Sequence, residues 1–127
     1  MFNLNLYFST KGRIGRQTWW MSTIIVNAIL FSLYIIMFLF GNIEIQNSSD
    51  VSGILQALFA IIFQLVIYTA YIIVSVKRLH DIGKSGWYYL IALIPFVGGL
   101  ILFIQLGFEK GTSGLNQYGQ DPLQLAD

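Results

Sequence analysis

The sequence has no cysteine, only one histidine, two prolines and few charged residues. The absence of cysteine excludes disulfide bonds, thiolate metal ligands and a thiol nucleophile. Lys, Arg, Asp and Glu make up 10% of the 127 residues, against about 25% in a typical soluble domain. The net charge of +1 is too small for a nucleic-acid-binding protein, so we expect no nucleic acid as a partner. Together with a mean hydropathy of +0.69, the charge deficit favours one membrane-embedded unit.

Three long stretches contain no charged residue, and they run over residues 19–41, 53–76 and 87–108. At about 1.5 Å per residue, roughly 22 helical residues are enough to cross a hydrocarbon core of about 30 Å. The sequence therefore predicts an all-α integral membrane protein with three transmembrane helices, in a single domain over residues 1–127. Residues 1–18 are predicted to be a cytoplasmic or interfacial segment, 77–86 a basic cytoplasmic loop, and 109–127 an irregular, glycine-rich tail.

The third stretch contains Pro95, Gly98 and Gly99 near its middle. A proline leaves one backbone carbonyl without its donor, and neighbouring groups must satisfy it in lipid. We expect a full crossing that is kinked at Pro95. The alternative is a re-entrant hairpin, whose two short arms turn between Pro95 and Gly99.

The distribution of cations predicts the orientation, because Lys and Arg in short flanking segments stay on the cytoplasmic side. The N-terminal flank and the basic loop each contain three of them, the first loop contains none, and the tail contains one. The N-terminus and the basic loop are therefore predicted to be cytoplasmic. The tail lies outside if the third stretch crosses, and inside if it is re-entrant.

Five cations beside the predicted spans are candidate contacts for an anion or a lipid headgroup, since each basic residue there gains about 1 kcal/mol at an anionic surface. They are Arg13, Arg16, Lys77, Arg78 and Lys84. The simpler interpretation is that they only fix the topology. The alternative is a phosphate pocket in which arginines from two segments converge, because guanidinium groups can bind phosphate with two prongs.

Other polar residues are candidates for structural roles. His80 and Asp81 form a candidate pair in the basic loop, and Arg78 can pair with Asp81 three residues later. One histidine beside one aspartate is too few ligands for zinc, so we expect no metal and no cofactor. Asn27 and Gln64 lie near the middle of the first two spans, where polar side chains more often tie helices together than bind a solute.

Four motifs resemble those of a known family and occur in the same order. They are Gly12-Arg13-Ile14-Gly15-Arg16 followed by Trp20, Lys77-Arg78-Leu79-His80-Asp81 with Trp87, Pro95 with Gly98, and Gly111-Thr112-x-Gly114-x-Asn116-x-Tyr118-Gly119-x-Asp121-Pro122. They resemble the motifs of the bacterial "domain of unknown function 805" family. The chain departs from that family at Gln117, commonly a basic residue there, and at Gln120, commonly a proline. The resemblance implies a bacterial inner-membrane protein with an ordered tail, and it implies no activity.

These observations indicate a non-enzymatic inner-membrane protein, because the sequence contains no complete catalytic constellation. We expect a small helper or interaction subunit whose basic cytoplasmic face contacts anionic lipid or a partner. Its expected partners are membrane lipids and either further copies of itself or a larger membrane protein. The alternative is an oligomeric small-solute or ion transporter or channel, although the predicted spans hold none of the acids or bases that proton-coupled pumps normally use.

Overall fold

The computed structural model describes residues 5–44 and 51–124, and the regular structure in these ranges is helical. The elements are α1 (Asn5–Phe8), α2 (Arg16–Glu44), α3 (Val51–Asp81), a 3₁₀ helix that we call η1 (Gly86–Leu93), and α4 (Val97–Phe108). The predicted all-helical fold is confirmed for the described chain. Parts of the predicted first loop and of both ends lie outside the described residues.

Within residues 5–44 and 51–124, α2 and α3 are the helices that are long and apolar enough to cross a membrane. They contain the first two charge-free stretches of the sequence. Large apolar side chains along both remain exposed, including Phe31 at 67% and Phe59 at 73%. A continuous exposed apolar surface of this kind is stable in lipid rather than in water.

The basic segment differs from the prediction, because residues 77–81 belong to the end of α3 instead of a loop. The helix ends in a Schellman motif, in which the Lys84 N–H donates to the Leu79 carbonyl over 2.8 Å and the Gly83 N–H to the His80 carbonyl over 3.1 Å. Gly83 has a φ of +75°, which a glycine adopts without a Cβ penalty. The true loop is therefore short, and Lys77 and Arg78 are held on the helix, whereas Lys84 lies in the loop.

The third charge-free stretch folds back as a hairpin of η1 and α4 and does not run as one continuous kinked helix. The Gln105 amide on α4 donates to the Tyr88 hydroxyl on η1 over 3.1 Å, which places the start of one arm beside the end of the other. Near the turn, the arms approach so closely that a Cβ at Gly98 would overlap the Ile91 carbonyl. The turn lies between Leu93 and Val97, in the region where the sequence placed the turn of the alternative hairpin.

Two backbone N–H groups of the hairpin turn are bonded within the turn. Proline has no N–H to satisfy, the Val97 N–H donates to the Pro95 carbonyl over 2.7 Å, and the Gly98 N–H to the Ile94 carbonyl over 3.0 Å. Phe96 has a φ of +63° and a side chain that is 99% exposed. At the other end of η1, the Ser85 hydroxyl accepts the Trp87 N–H and caps the first turn of this helix.

The buried core lies at one end of the molecule, where α2 begins and α3 ends. Its apolar members are Ile14, Trp19, Val74, Leu79, Ile82, Leu102 and Leu106. Tyr7 of α1 packs against this cluster, while Phe8 remains 81% exposed. We call the polar region around this core the cap, and define it as residues 11–20, 74–85 and 105–122.

Candidate functional site

The cap is organised around the carboxylate of Asp81, the last residue of α3. Arg13 donates from Nε to Asp81 Oδ1 over 3.1 Å, and its Nη2 lies 3.0 Å from the same oxygen. Arg78 lies one turn before Asp81 and donates from Nη1 to Oδ2. The three side chains are at most 5% exposed. One buried carboxylate therefore faces two buried guanidinium groups.

The remaining donors of Arg13 bind the tail. Nη1 donates to the carbonyl oxygens of Gly114 and Gly119, over 2.7 Å and 3.1 Å. Nη2 donates to the carbonyl of Thr112. Three carbonyl dipoles thus point at one guanidinium group, which stabilises the positive charge that Asp81 alone does not balance.

Arg78 binds the end of the hairpin in the same manner. Its Nε donates to the Leu106 carbonyl over 2.9 Å, and its Nη2 donates to the Glu109 carbonyl. These carbonyls belong to the last turn of α4 and the residue after it, where helix carbonyls lack intrahelical donors. Arg78 therefore joins the end of α3 to the end of the hairpin.

The tail in turn covers the end of α3. The N–H and the hydroxyl of Thr112 both donate to the Asp81 carbonyl, over 2.8 Å and 3.0 Å. The Asn116 amide donates to the His80 carbonyl over 2.9 Å. A Cβ at Gly111 would overlap the Asp81 carboxylate, so the close approach of the tail requires glycine at this position. The described part of the tail, residues 109–124, is irregular in backbone and is held against the end of α3 by these contacts.

His80 joins the tail to the N-terminal flank. Its ring stacks on Tyr118 with centroids 3.9 Å apart and planes inclined by 4°. On the other side, Nδ1 lies 3.3 Å from the Gly12 carbonyl oxygen, so a proton on Nδ1 would complete a hydrogen bond. His80 and Asp81 were predicted as a pair, but they point to different partners because neighbouring helix residues face different directions.

Asp121 closes the tail on itself, and the sequence interpretation did not assign it a role. Its carboxylate accepts the Leu123 N–H over 3.0 Å and the Gly114 N–H over 3.1 Å. These two bonds lower the pKa of Asp121 from its usual value, with smaller contributions from the charges of Arg13 and Lys110. The sequence feature that could have indicated this role is an aspartate before a proline in a segment of turn-forming residues.

The five candidate cations have different environments. Arg13 and Arg78 converge, as the phosphate-pocket interpretation requires, but the anion that both contact is Asp81. Lys77 is 6% exposed. The guanidinium groups of the two arginines therefore bind the Asp81 carboxylate and backbone carbonyl groups of the protein itself.

The other two candidates lie nearer the surface. Lys84 pairs with Glu109 at 3.1 Å and lies 4.9 Å from the centre of the Tyr88 ring. Arg16 is exposed, and its Nη1 lies 3.4 Å from the Phe108 carbonyl oxygen. Among the five, Arg16 is the side chain best placed to contact an external anion.

Asn27 and Gln64, which were predicted to tie the spans together, lie in other environments. The Asn27 amide donates to the Thr23 carbonyl of its own helix over 2.7 Å, and Gln64 is exposed. Within the described chain, Asn27 therefore does not tie α2 to α3, because the carbonyl one turn earlier is nearer. The tie that sequence reasoning missed is at the cap, where the Trp19 indole N–H lies 3.4 Å from the Ser75 hydroxyl.

Two long apolar helices with exposed hydrophobic faces, joined at one end by a buried ion-pair cap, define a small helical membrane protein. Its sequence matches the family model described as protein of unknown function (DUF805) over residues 7–120, and the chain belongs to that family. The resemblance seen in the four motifs is thereby confirmed.

Relatives in Escherichia coli (strain K12) agree with this assignment. The chain is 32% identical to inner membrane protein YhaI over 119 residues, which cover 94% of this chain and 90% of YhaI. It is 30% identical to inner membrane protein YhaH over 119 residues, or 94% and 91% of the two chains. It is also 34% identical over 138 residues to the uncharacterized protein YiiR, with 90% and 86% covered. No solved structure matches the chain.

Proposed function

We propose that the chain is a non-enzymatic inner-membrane protein that crosses the bilayer twice, through α2 and α3. In this proposal the cap lies in the cytoplasm and is an interaction surface for anionic lipid or a partner protein. The observation that supports it most is the meeting of Arg13, Arg78 and the tail at Asp81. The internal ion pairs hold the shape of the surface, and other cations are left to make external contacts.

The contacts at Asp81 support the proposed topology. They bring the N-terminal flank, the end of α3 and the tail to the same end of the molecule. The hairpin also begins and ends there, since Lys84 and Glu109 on its two sides are 3.1 Å apart. Its arms, of 8 and 12 residues, are each about 16–18 Å long, or roughly half of a hydrocarbon core. The hairpin thus enters and leaves the bilayer on the cap side.

The charges support a cytoplasmic cap. The seven Lys and Arg residues of the chain lie before α2 or in its first turn, at the end of α3, or beside the hairpin and tail. With a re-entrant hairpin, all seven are on one side, which is a stronger asymmetry than three crossings would give. By the positive-inside rule, this side is cytoplasmic.

Three cations of the cap are exposed: Lys11, Arg16 and Lys110. Each should gain about 1 kcal/mol near an anionic bilayer surface. By contrast, Lys84 already has Glu109 as a partner. We therefore assign external contacts to the three exposed cations and a structural role to Arg13 and Arg78.

An oligomeric transporter or channel is the second candidate, and the hairpin turn is the observation that favours it. Irregular backbone at membrane depth is tolerated where protein buries it or where it lines a water-filled cavity. The side chain of Phe96 at this turn is 99% exposed in the single chain. Further copies could supply the missing cover. Solute or ion flux in liposomes that contain the purified chain would favour this second candidate.

Reporter fusions test the topology. A fluorescent protein fused after Gln124 should fluoresce, and alkaline phosphatase fused at the same place should be inactive. Both results are expected if residue 124 lies on the cytoplasmic side. The matched control is phosphatase inserted within residues 45–50, which should be active. An active phosphatase after Gln124 would contradict the two-crossing proposal.

Charge variants test the interaction surface. The variant Lys11→Gln/Arg16→Gln/Lys110→Gln removes the exposed cations and leaves the buried ion pairs in place. We expect it to lose at least tenfold in preference for phosphatidylglycerol over phosphatidylcholine in native mass spectrometry, and to lose partner crosslinks in native membranes. The control Lys84→Gln/Glu109→Gln leaves the net charge unchanged and should behave as the wild type. Equal lipid preference and crosslinks in the triple variant would contradict the proposed role of the surface.

A further inference from the structure

The half of α3 that is remote from the cap has exposed apolar side chains on most of its sides. Near the cap, α2, α3 and the hairpin surround a common core. The hairpin arms are only about 16–18 Å long, and they do not extend along the remote half. There Leu55, Phe59 and Ile62 are 60%, 73% and 61% exposed. The exposed sides of this half could be covered only by lipid or by another protein.

Gln64 lies in this remote half and differs from three other exposed polar side chains of the long helices. Asn27, Ser32 and Thr69 each donate to the carbonyl four residues earlier, over 2.7 Å, 2.8 Å and 2.8 Å. The exposed Gln64 side chain has no hydrogen-bond partner among residues 5–44 and 51–124. It precedes Val76, at the end of the charge-free stretch, by 12 residues. The amide is therefore about 18 Å from that end, near the middle of a core of about 30 Å.

An amide without a partner is costly in hydrocarbon, where water cannot bind it. The glutamine amide carries both a donor and an acceptor, so two glutamines related by a twofold axis satisfy each other. A second copy of this chain presents the same amide at the same depth and in the same orientation. We propose that two copies pack through the remote halves of α3 and that their Gln64 amides form hydrogen bonds across the interface. This inference rests on the proposed crossing of the bilayer by α3.

The helix geometry fixes which side of α3 faces the second copy. Ala57 and Ile61 precede Gln64 by seven and three residues and lie on its face, whereas Leu55 and Ile62 lie on the opposite face. Because the chain has no cysteine, each introduced thiol is unique. In liposomes, Ala57→Cys and Ile61→Cys should form disulfide-linked dimers on oxidation. The depth-matched controls Leu55→Cys and Ile62→Cys should not, and equal crosslinking on both faces would overturn the proposal.

Energy transfer tests the role of the amide. Purified chains carrying Gln117→Cys in the exposed tail are labelled with donor or acceptor dyes and diluted in liposomes of increasing lipid content. An interhelical hydrogen bond in lipid stabilises association enough for Gln64→Leu to weaken the dimer by about three- to thirty-fold. Gln64→Asn keeps an amide and should restore part of the affinity. Energy transfer that never exceeds random proximity, or that is the same in Gln64→Leu, would overturn the proposal.

Alkaline extraction of the same liposomes separates this inference from the proposed function. If the chain is extracted at high pH, it is not integral to the bilayer, and both proposals fail. If it stays in the bilayer without specific energy transfer, the dimer is refuted and the two-crossing topology stands.

Discussion

Replacing Asp81 by asparagine should release the tail from the cap. The substitution keeps the shape of the side chain but removes the charge that Arg13 and Arg78 both contact. The two guanidinium groups stay charged in the variant, because arginine does not lose its proton in proteins. Removing one partner of a buried ion pair costs about 3–5 kcal/mol, because the remaining charge is left uncompensated. Here two charges are left, so the lower end of that range is a conservative estimate for Asp81→Asn.

The cap contains an exposed ion pair that serves as a matched control. The side chains of Lys84 and Glu109 are 25% and 42% exposed, and pairs of this kind contribute about 0–1 kcal/mol. Glu109→Gln removes that charge pair and leaves the backbone carbonyl that Arg78 binds. The two substitutions each neutralise one acid of the cap, so their difference measures the effect of burial.

Hydrogen–deuterium exchange of the tail provides the measurement. The N–H of Thr112 donates to the Asp81 carbonyl, and the N–H of Asn116 donates to the Gly119 carbonyl. A loss of about 3 kcal/mol corresponds to roughly hundredfold faster exchange through opening of the tail, against about fivefold or less for Glu109→Gln. Peptides from α2 should keep their protection. If Asp81→Asn accelerates exchange no more than Glu109→Gln, the ion pairs do not hold the tail.

Three further substitutions test the hairpin and the tail. Gly98→Ala should destabilise the protein by about 3 kcal/mol or more in thermal unfolding, because its Cβ would overlap η1. The control is Gly99→Ala, whose Cβ meets nothing within 4 Å. It should change the stability by about 1 kcal/mol or less. The N–H of Leu123 lowers the pKa of Asp121. The ionised carboxylate therefore stabilises the folded tail above the unfolded pKa of about 3.9, and this stabilisation is lost as the pH falls through the lower folded pKa. Tail protection, corrected for intrinsic exchange, should fall below about pH 4, and Asp121→Asn should remove this dependence. Arg13→Lys keeps the charge and should leave reporter topology unchanged, but tail exchange should rise at least tenfold, because bonds to the tail carbonyls are lost.

The two long helices could be predicted from composition alone. Charge-free stretches of sufficient length must form helices in lipid, since no other isolated segment satisfies its backbone there. The hairpin could not be decided in the same way, because residues 87–108 are also long enough to cross. Pro95 disturbs both arrangements. The arms are held together by the packing of Gly98 on Ile91 and the bond from Gln105 to Tyr88, which are contacts that composition does not reveal.

The cap was predictable only where its partners are close in sequence. Arg78 and Asp81 lie three apart, and the pair predicted from that spacing is confirmed. Arg13 precedes Asp81 by 68 residues, and no local pattern connects them. It was therefore interpreted as a contact for lipid or phosphate. The carbonyl groups that bind its remaining donors carry no sequence signal, because every residue has one.

The geometry of the cap explains why it uses arginine at its centre. Arg13 reaches the Asp81 carboxylate and the carbonyls of Thr112, Gly114 and Gly119 with donors that point in fixed and different directions. A lysine ammonium group is a compact charge whose donors radiate from one atom, so it could not span these acceptors. The orientation of the chain depends on charge alone, for which lysine and arginine are equivalent. The buried arginines thus build the cap through their shape, and the exposed cations act through their charge, so a basic motif in this sequence combines two separable physical functions.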